Sequence, residues 1–255
     1  MTLVLKNVSY TFKNKGKQHN KVIASLNMQV NQGEFVSLIG KSGTGKSTIL
    51  KLVTGLLKQD EGEISLNGKS LTLGDVGYMP QRDLLLPWRS IIDNIMIAAE
   101  FQKELKITRE DARNWLDRVG LIKYENALPK QLSGGMRQRA AFLRALLTGK
   151  DLLLLDEPFG ALDALTKKEM QSWLLSIWQE LNKTILFITH DLEEACFLSD
   201  RIILLHPNKK IEEINVNLPR PRFSDMLHST ELAGLRHELE KKIANETNKK
   251  FYSDL

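Results

Sequence analysis

With one cysteine in 255 residues the chain can form no internal disulfide, and no zinc-type spacing exists. Its five histidines do not group with acids as metal ligands would. No apolar run approaches the roughly 20 residues that span a bilayer. Nor is there a charged-then-apolar leader at the N-terminus. The expectation is a chain that stays in the cytoplasm unless another polypeptide tethers it. The net charge of +5 is mild, and lysine and arginine are scattered. That fits a solvated surface first, nearness to anionic lipid second, and nucleic-acid binding least. Cys196, at helical spacing from Leu192 and Ala195, reads as a small buried hydrophobe and not as a reactive thiol. What is present, 42% hydrophobic and 26% charged residues, suits a soluble globular protein with one substantial core or a core plus a subdomain.

The stretch that organises the rest is Gly40-Lys41-Ser42-Gly43-Thr44-Gly45-Lys46-Ser47. It follows the buried-strand pattern Phe35 to Ile39 and precedes the helical Thr48 to Val53, the context a P-loop requires. Glycines without side chains let successive backbone N–H groups curl around phosphate oxygens. The opening of the helix adds partial positive charge, Lys46 a full charge for the β and γ phosphates, and the Ser47 hydroxyl a ligand for Mg²⁺.

Residues 3–12 and 22–30 show β patterning around the polar loop Lys13 to Lys21, and Gly62 to Asn67 with the Asn67-Gly68 turn adds a strand to a small β subdomain. Phe12, at a strand end, either packs on its neighbours or stacks on a nucleobase. Val76 to Met79 reads as a strand leading to Gln81. The apolar Leu84-Leu85-Leu86-Pro87-Trp88-Arg89 is a docking surface if exposed and a core lid if covered. Ile91 to Gly149 is helical, with a capping box at Thr108 and Asp111 ahead of a face of Ala112, Trp115, Leu116 and Val119. This segment, about 84–150, reads as a helical subdomain inserted into the core. It closes on Leu132-Ser133-Gly134-Gly135-Met136-Arg137-Gln138, a serine-capped helix start and a second anion site.

Leu152 to Leu155 reads as a strand buried on both faces. Asp156 and Glu157 at its C-terminal end stand where ligands bind in open α/β sheets. Asp156 can reach Mg²⁺ through water, and Glu157 can orient or deprotonate the attacking water. A helix burying Met170, Trp173, Leu174, Ile177, Trp178 and Leu181 follows, then the strand Thr184 to Thr189 with His190 at its end, placed for the γ-phosphate. After a last core strand, Arg201 to Leu205, Pro219 to Arg222 reads as an extended linker. Ser229 to Glu246 reads as a solvated helix with a thin stripe of Leu232, Leu235, Leu239 and Ile243. The expected division is a domain over 1–215 and a linker with a helical tail over 216–255.

Taken together and in this order, the P-loop, Gln81, the 132–138 motif, Leu152 to Glu157, Asp163 in Gly160-Ala161-Leu162-Asp163, and His190 resemble the ATP-binding subunit of an ABC transporter, over about Leu3 to Leu205. Leu85-Leu86-Pro87-Trp88, Pro158 to Thr166 and Thr189-His190-Asp191 are similar to the branch importing nitrate, sulfonates and taurine, whose architecture importers of thiamine-precursor pyrimidines and riboflavin share. The resemblance implies an α/β P-loop NTPase core with a small antiparallel β subdomain and an inserted helical subdomain. It implies ATP and Mg²⁺, with Phe12 stacked on adenine and Gly40, Lys41, Ser42, Gly43, Thr44, Gly45, Lys46, Ser47 and Thr48 around the phosphates. Ser47, Gln81 and Asp156 would hold the metal or its water. Glu157 would be the catalytic carboxylate, with Gln81 and His190 beside the chemistry. Ser133, Gly134, Gly135 and Gln138 would face the nucleotide of a second copy of the chain, and Asp163 would lie at that interface.

A physical argument points the same way: an anion site without its own lysine, if it faces outward, is satisfied by another protomer's γ-phosphate, closing two chains head to tail. The implied partners are integral membrane permease chains and an extracytoplasmic solute-binding protein, with no nucleic acid. The implied place is the cytoplasmic face of the membrane. The alternatives are an exporter ATPase and a soluble ABC-type ATPase. The latter usually carries two ATP domains or a long coiled coil, and neither is present here. A P-loop kinase would leave the 132–138 motif without a purpose.

Overall fold

The computed structural model describes residues 2–13, 19–101, 107–160 and 162–253. Part of the expected lysine-rich loop, 14–18, and Ala161 lie outside these. In chain order the first elements are β1 (Leu3–Lys13), β2 (His19–Val30), β3 (Phe35–Ile39), α1 (Lys46–Val53), β4 (Glu61–Leu66), β5 (Lys69–Ser70) and β6 (Gly77–Met79). Then come α2 (Ile91–Ile95), α3 (Ile97–Phe101), α4 (Arg109–Arg118), α5 (Gly134–Leu146), β7 (Leu152–Asp156) and α6 (Ala164–Leu181). The last are β8 (Thr184–Ile188), α7 (Leu192–Leu198), β9 (Arg201–Leu205), β10 (Ile211–Asn215) and α8 (Thr230–Ser253). Two compact units divide the chain: Met1–Gly74 with Gln171–Leu255, and Asp75–Met170.

In the first unit, β2, β1, β4 and β5 form an antiparallel sheet in that order. Its β4–β5 turn is Asn67-Gly68, both at positive φ (56° and 73°), the backbone a two-residue hairpin of this composition adopts. This unit also holds the strand run β10, β9, β3, β8 of a mixed sheet, with β3 parallel to both β9 and β8 and β10 antiparallel to β9. Every residue of β3, β8 and β9 is buried, and all but Ser37, Thr184 and Arg201 are apolar, the near-continuous pattern that a sheet covered on both faces demands. Phe35 meets Phe187 and Trp178 edge to face, each at 5.8 Å between centroids. Each such pair is worth about 0.5–1.5 kcal/mol beyond its burial. Cys196 is fully buried on α7, and burial pushes its thiol up to about 12, so it is the inert hydrophobe its spacing implied.

Residues 219–222 form neither helix nor strand, bend at Arg220 and Pro221, and are anchored. Arg222, 6% exposed, donates to the carbonyls of Cys196, Phe197 and Ser199 at the end of α7. Arg220 pairs with Asp200 at 2.8 Å and lies over the Trp178 ring. Leu232 and Leu239 of α8 are buried, and Arg236 reaches Glu193 of α7 at 3.6 Å. The terminal helix is therefore docked, where sequence alone suggested a solvated appendage.

In the second unit, β6 pairs in parallel with β7, and helices α2 to α5 lie between them in sequence. No strand occurs among the described residues of 91–149. The capping box of α4 forms as expected, Thr108 N–H donating to Asp111 Oδ2 at 2.8 Å and Asp111 N–H to Thr108 Oγ1 at 3.1 Å. Ala112, Leu116 and Val119 are buried, whereas Trp115 is half-buried beneath the Arg118 guanidinium, 4.3 Å from its ring.

Candidate functional site

β3 delivers the P-loop. Gly40, Gly43 and Gly45 all have positive φ. A side chain at Gly40 would place its Cβ 2.5 Å from the Leu205 carbonyl oxygen, and one at Gly45 would meet Ile23 Cδ1 at 2.8 Å. Only glycine fits at these two places, and the loop is held close to the sheet. Lys46 is 9% exposed, and its ammonium donates to the Gly40 and Lys41 carbonyls at 2.8 and 3.1 Å, folding the side chain back over the loop. Thr44 Oγ1 donates to the Lys41 carbonyl at 2.9 Å. Helix α1 begins at Lys46 with no side-chain cap on its first amides and no acid in its first turn. An uncapped helix start, a lysine and a curled glycine loop in one place fit an anion of several charges.

The β3–β8 register pairs Leu38 with Ile188. Two residues on, Gly40 and His190 leave the same edge of neighbouring parallel strands. His190 is exposed there, and the next residue, Asp191, caps α7 by accepting from the N–H groups of Glu193 and Glu194. Phe12, 40% exposed, meets Tyr10 edge to face at 5.0 Å.

The second unit assembles another group. Met79 pairs with Leu155, which brings Gln81 level with Glu157, and Gln81 Nε2 donates to Glu157 Oε2 at 3.1 Å. Glu157 has φ +50°, a strained value for a residue with a side chain and one that recurs at working sites. Its carbonyl accepts from Gly160 N–H and from Gln138 Nε2, both at 3.2 Å. Gln138 thus ties the start of α5 to the end of β7. Asp156 is 3% exposed. Burial, with the Asp156 carboxylate adding to it, pushes the Tyr78 phenol up to about 12. Ser133 is exposed and caps α5, accepting from Met136 N–H at 3.3 Å. Gly135 lies against Leu162, where an added Cβ would come within 2.8 Å of Cδ2. Asp163 is exposed and accepts from the N–H groups of Leu165 and Thr166, and hydrogen bonding from Thr166 holds its carboxyl below the usual range. Ser47 in the first unit, and the Gln81 amide oxygen and Asp156 in the second, are each hard oxygen donors, the chemistry Mg²⁺ prefers.

The segment after Gln81 is displayed. Trp88 is 73% and Leu84 59% exposed, while Leu85 between them in sequence is buried. Sequence reading passed over what holds it, Asn94. This fully buried amide accepts from Leu86 N–H at 2.7 Å and donates to the carbonyls of Leu86, Arg89 and Ser90 at 3.0 to 3.1 Å. A lone amide in an otherwise apolar face of Ile91, Ile92 and Ile95 was the available signal. Asn94→Ala takes the side-chain partner from the part-buried Leu86 N–H and Arg89 carbonyl, while the Leu86 and Ser90 carbonyls keep the backbone N–H groups of residues 89 and 94, at about 1–3 kcal/mol for each group left unpaired. We expect a loss of about 2–4 kcal/mol in a denaturation midpoint measurement.

The family pattern described as "ABC transporter" matches residues 23–160, and the chain belongs to that family. It is 45% identical over 203 residues to the formylaminopyrimidine import ATP-binding protein ThiZ of Halalkalibacterium halodurans, covering 79% of this chain and 78% of that one. It is 42% identical over 226 residues to the aliphatic sulfonates import ATP-binding protein SsuB of Bacillus cereus, covering 87% and 89%. Among solved structures it is similar to the dimeric post-hydrolysis state of the ATP-binding cassette MJ0796 bound to ADP and Pi. There the TM-score is 0.78 at 30% identity, covering 85% of this chain and all of that one. The α/β fold is that of such cassettes. No helix among the described residues is long and apolar enough to cross a membrane.

Proposed function

We propose that this chain is the ATP-binding and ATP-hydrolysing subunit of an importer of a small polar solute, acting at the cytoplasmic face of a membrane as a head-to-tail pair of copies. The solute class is that of its relatives, sulfonate-like oxyanions or thiamine-precursor pyrimidines. The observation that carries the reading is the pairing of strand ends: the P-loop with His190 at the ends of β3 and β8, and Gln81 with Glu157 at the ends of β6 and β7.

In this reading the amides of residues 40–48 and Lys46 bind the phosphates, Phe12 stacks on the adenine, and Ser47, Gln81 and Asp156 hold Mg²⁺ or its water. Bound Mg²⁺ supplies charge neutralisation at the β and γ phosphates. Glu157 takes the proton of the attacking water, held in place by Gln81 and by its pinned carbonyl. His190 contacts the γ-phosphate. Ser133, Gly134, Gly135 and Gln138 face the nucleotide held by the other copy, with Asp163 at the same interface. Residues 1–215 form the ATPase domain, with about 84–150 as its helical insertion and 216–255 as an accessory tail. The solute passes through the separate permease chains without touching this subunit, and an extracytoplasmic binding protein delivers it to them.

Docking on the permease is assigned to the exposed Leu84 and Trp88. Trp88→Ala is expected to weaken capture by the membrane chain at least tenfold, the size of loss a central aromatic anchor gives, with the thermal midpoint unchanged. Unchanged capture would remove the docking role. Full-speed turnover by an isolated single copy would remove the proposal as a whole.

A further inference from the structure

The displayed segment is tied to α5 at Asp83 and Leu84. Arg137 Nε lies 3.0 Å from Asp83 Oδ2. Arg144 spans the next peptide, Nη2 donating to the Asp83 carbonyl at 2.5 Å and Nη1 to the Leu84 carbonyl at 2.7 Å. The two arginines are seven residues apart, two helical turns, and therefore share one face of α5. Leu84 has φ +45°, a conformation that persists only where its surroundings over-determine it, and the Arg144 fork supplies that constraint. Asp83 closes the group by accepting from Leu85 N–H at 3.1 Å. A cavity of about 360 Å³ lies alongside, lined by Gln81, Arg82, Leu84, Gly134 and Gln138 together with the Asp83–Arg137 pair. It thus reaches from the exposed segment to the first turn of α5.

These bonds give α5 two occupied ends. Its N-terminus is Ser133-Gly134-Gly135, and Arg144 sits in its last turn, about 16 Å further along the axis at 1.5 Å per residue. We propose that α5 is a strut, with Arg137 and Arg144 as positioning residues that make any displacement at Ser133 a displacement of Asp83 and Leu84. Neither the P-loop nor Glu157 is needed for this link. It rests on the reading above, in which Ser133 meets a nucleotide and Leu84 and Trp88 meet the permease, and it adds the connection between them. Charged guanidinium groups on carbonyls and a carboxylate suit the task, because directional, charge-assisted bonds transmit position where apolar packing slips.

The test uses the full chain with the membrane chain it copurifies with, reconstituted in vesicles. Capture by that chain, basal ATP turnover and the stimulation of turnover on assembly are measured for Asp83→Arg, Arg137→Asp, the double exchange, and Arg144→Lys. Asp83→Arg and Arg144→Lys are each expected to keep capture and basal turnover but to lose about tenfold in stimulation, within the usual range of coupling between sites, and Arg137→Asp, which lies in the motif at the start of α5, is read as stimulation relative to its own basal rate. The double exchange restores the 83–137 pair with reversed polarity and is expected to recover most of the stimulation, which a merely destabilised fold would not do. Arg144→Lys keeps the charge but cannot span both carbonyls, and serves where Asp83→Arg fails to fold. Stimulation at the wild-type level in the single variants, or an exchange no better than either single change, overturns the strut. Trp88→Ala separates the two failures. If it abolishes capture while the arginine variants stay stimulated, only the strut is lost. If capture survives it, the docking reading falls and the strut with it.

Discussion

Glu157→Gln is expected to slow ATP turnover by about 10²–10⁴-fold while leaving ATP affinity unchanged. That range is about 2.7–5.4 kcal/mol of transition-state stabilisation. The substitution is nearly isosteric, and the backbone that positions the side chain does not depend on the carboxylate. The φ of +50° is held by bonds from Gly160 and Gln138 to the Glu157 carbonyl oxygen, which a glutamine keeps. What changes is the group proposed to accept the proton of the attacking water. Gln81 Nε2 now donates to Glu157 Oε2, and an amide oxygen in that place still accepts the bond but is no base. Steady-state turnover and equilibrium binding of a fluorescent nucleotide check both halves. A wild-type rate would take the base assignment away from Glu157, and lost binding would place the residue in nucleotide capture instead.

The parts of the site legible in the sequence were those set by local spacing. The P-loop declares itself because the glycines, lysine and serine that bind phosphate are contiguous. β7 does so because four leucines in a row suit only a strand covered on both faces. The start of α5 was legible because a serine ahead of two glycines is a cap signal. What stayed hidden depends on pairing between distant strands. Gln81 could be placed beside Glu157 only once β6, three residues long, was seen to run parallel to β7 in one register.

Composition misled at the edges. Ile211–Asn215 reads Ile-Glu-Glu-Ile-Asn, which lacks the period-two alternation of a strand, and no strand was expected there, yet it pairs antiparallel with β9. Pro219 to Arg222 looked like a spacer, but arginine is buried wherever enough carbonyls converge on it. Arg222 finds three at the end of α7, a fact of tertiary packing that the sequence does not carry.

Ser133→Arg is expected to abolish turnover while ATP affinity of the single copy stays intact, and here the fold and the function separate cleanly. Ser133 Oγ satisfies one amide at the start of α5, and its loss costs about 1 kcal/mol. The remainder of α5 is fixed by buried Ala140, Ala141, Leu143 and Leu146, so the helix survives. The arginine is introduced at an exposed helix start, where it blocks only what approaches from outside. If that visitor is the γ-phosphate on another copy, mixing decides it. Lys46→Ala destroys the P-loop and spares the α5 cap, whereas Ser133→Arg does the reverse, and each alone is inactive. In a mixed pair one nucleotide is held between an intact P-loop and an intact cap from different copies. A one-to-one mixture should then recover up to about a quarter of the wild-type rate, because half the pairs are mixed and each has one of two sites whole. An α5 cap serving the P-loop of its own chain would leave every site defective and the mixture dead. Lost affinity in the Ser133→Arg single copy would point to the same within-chain arrangement.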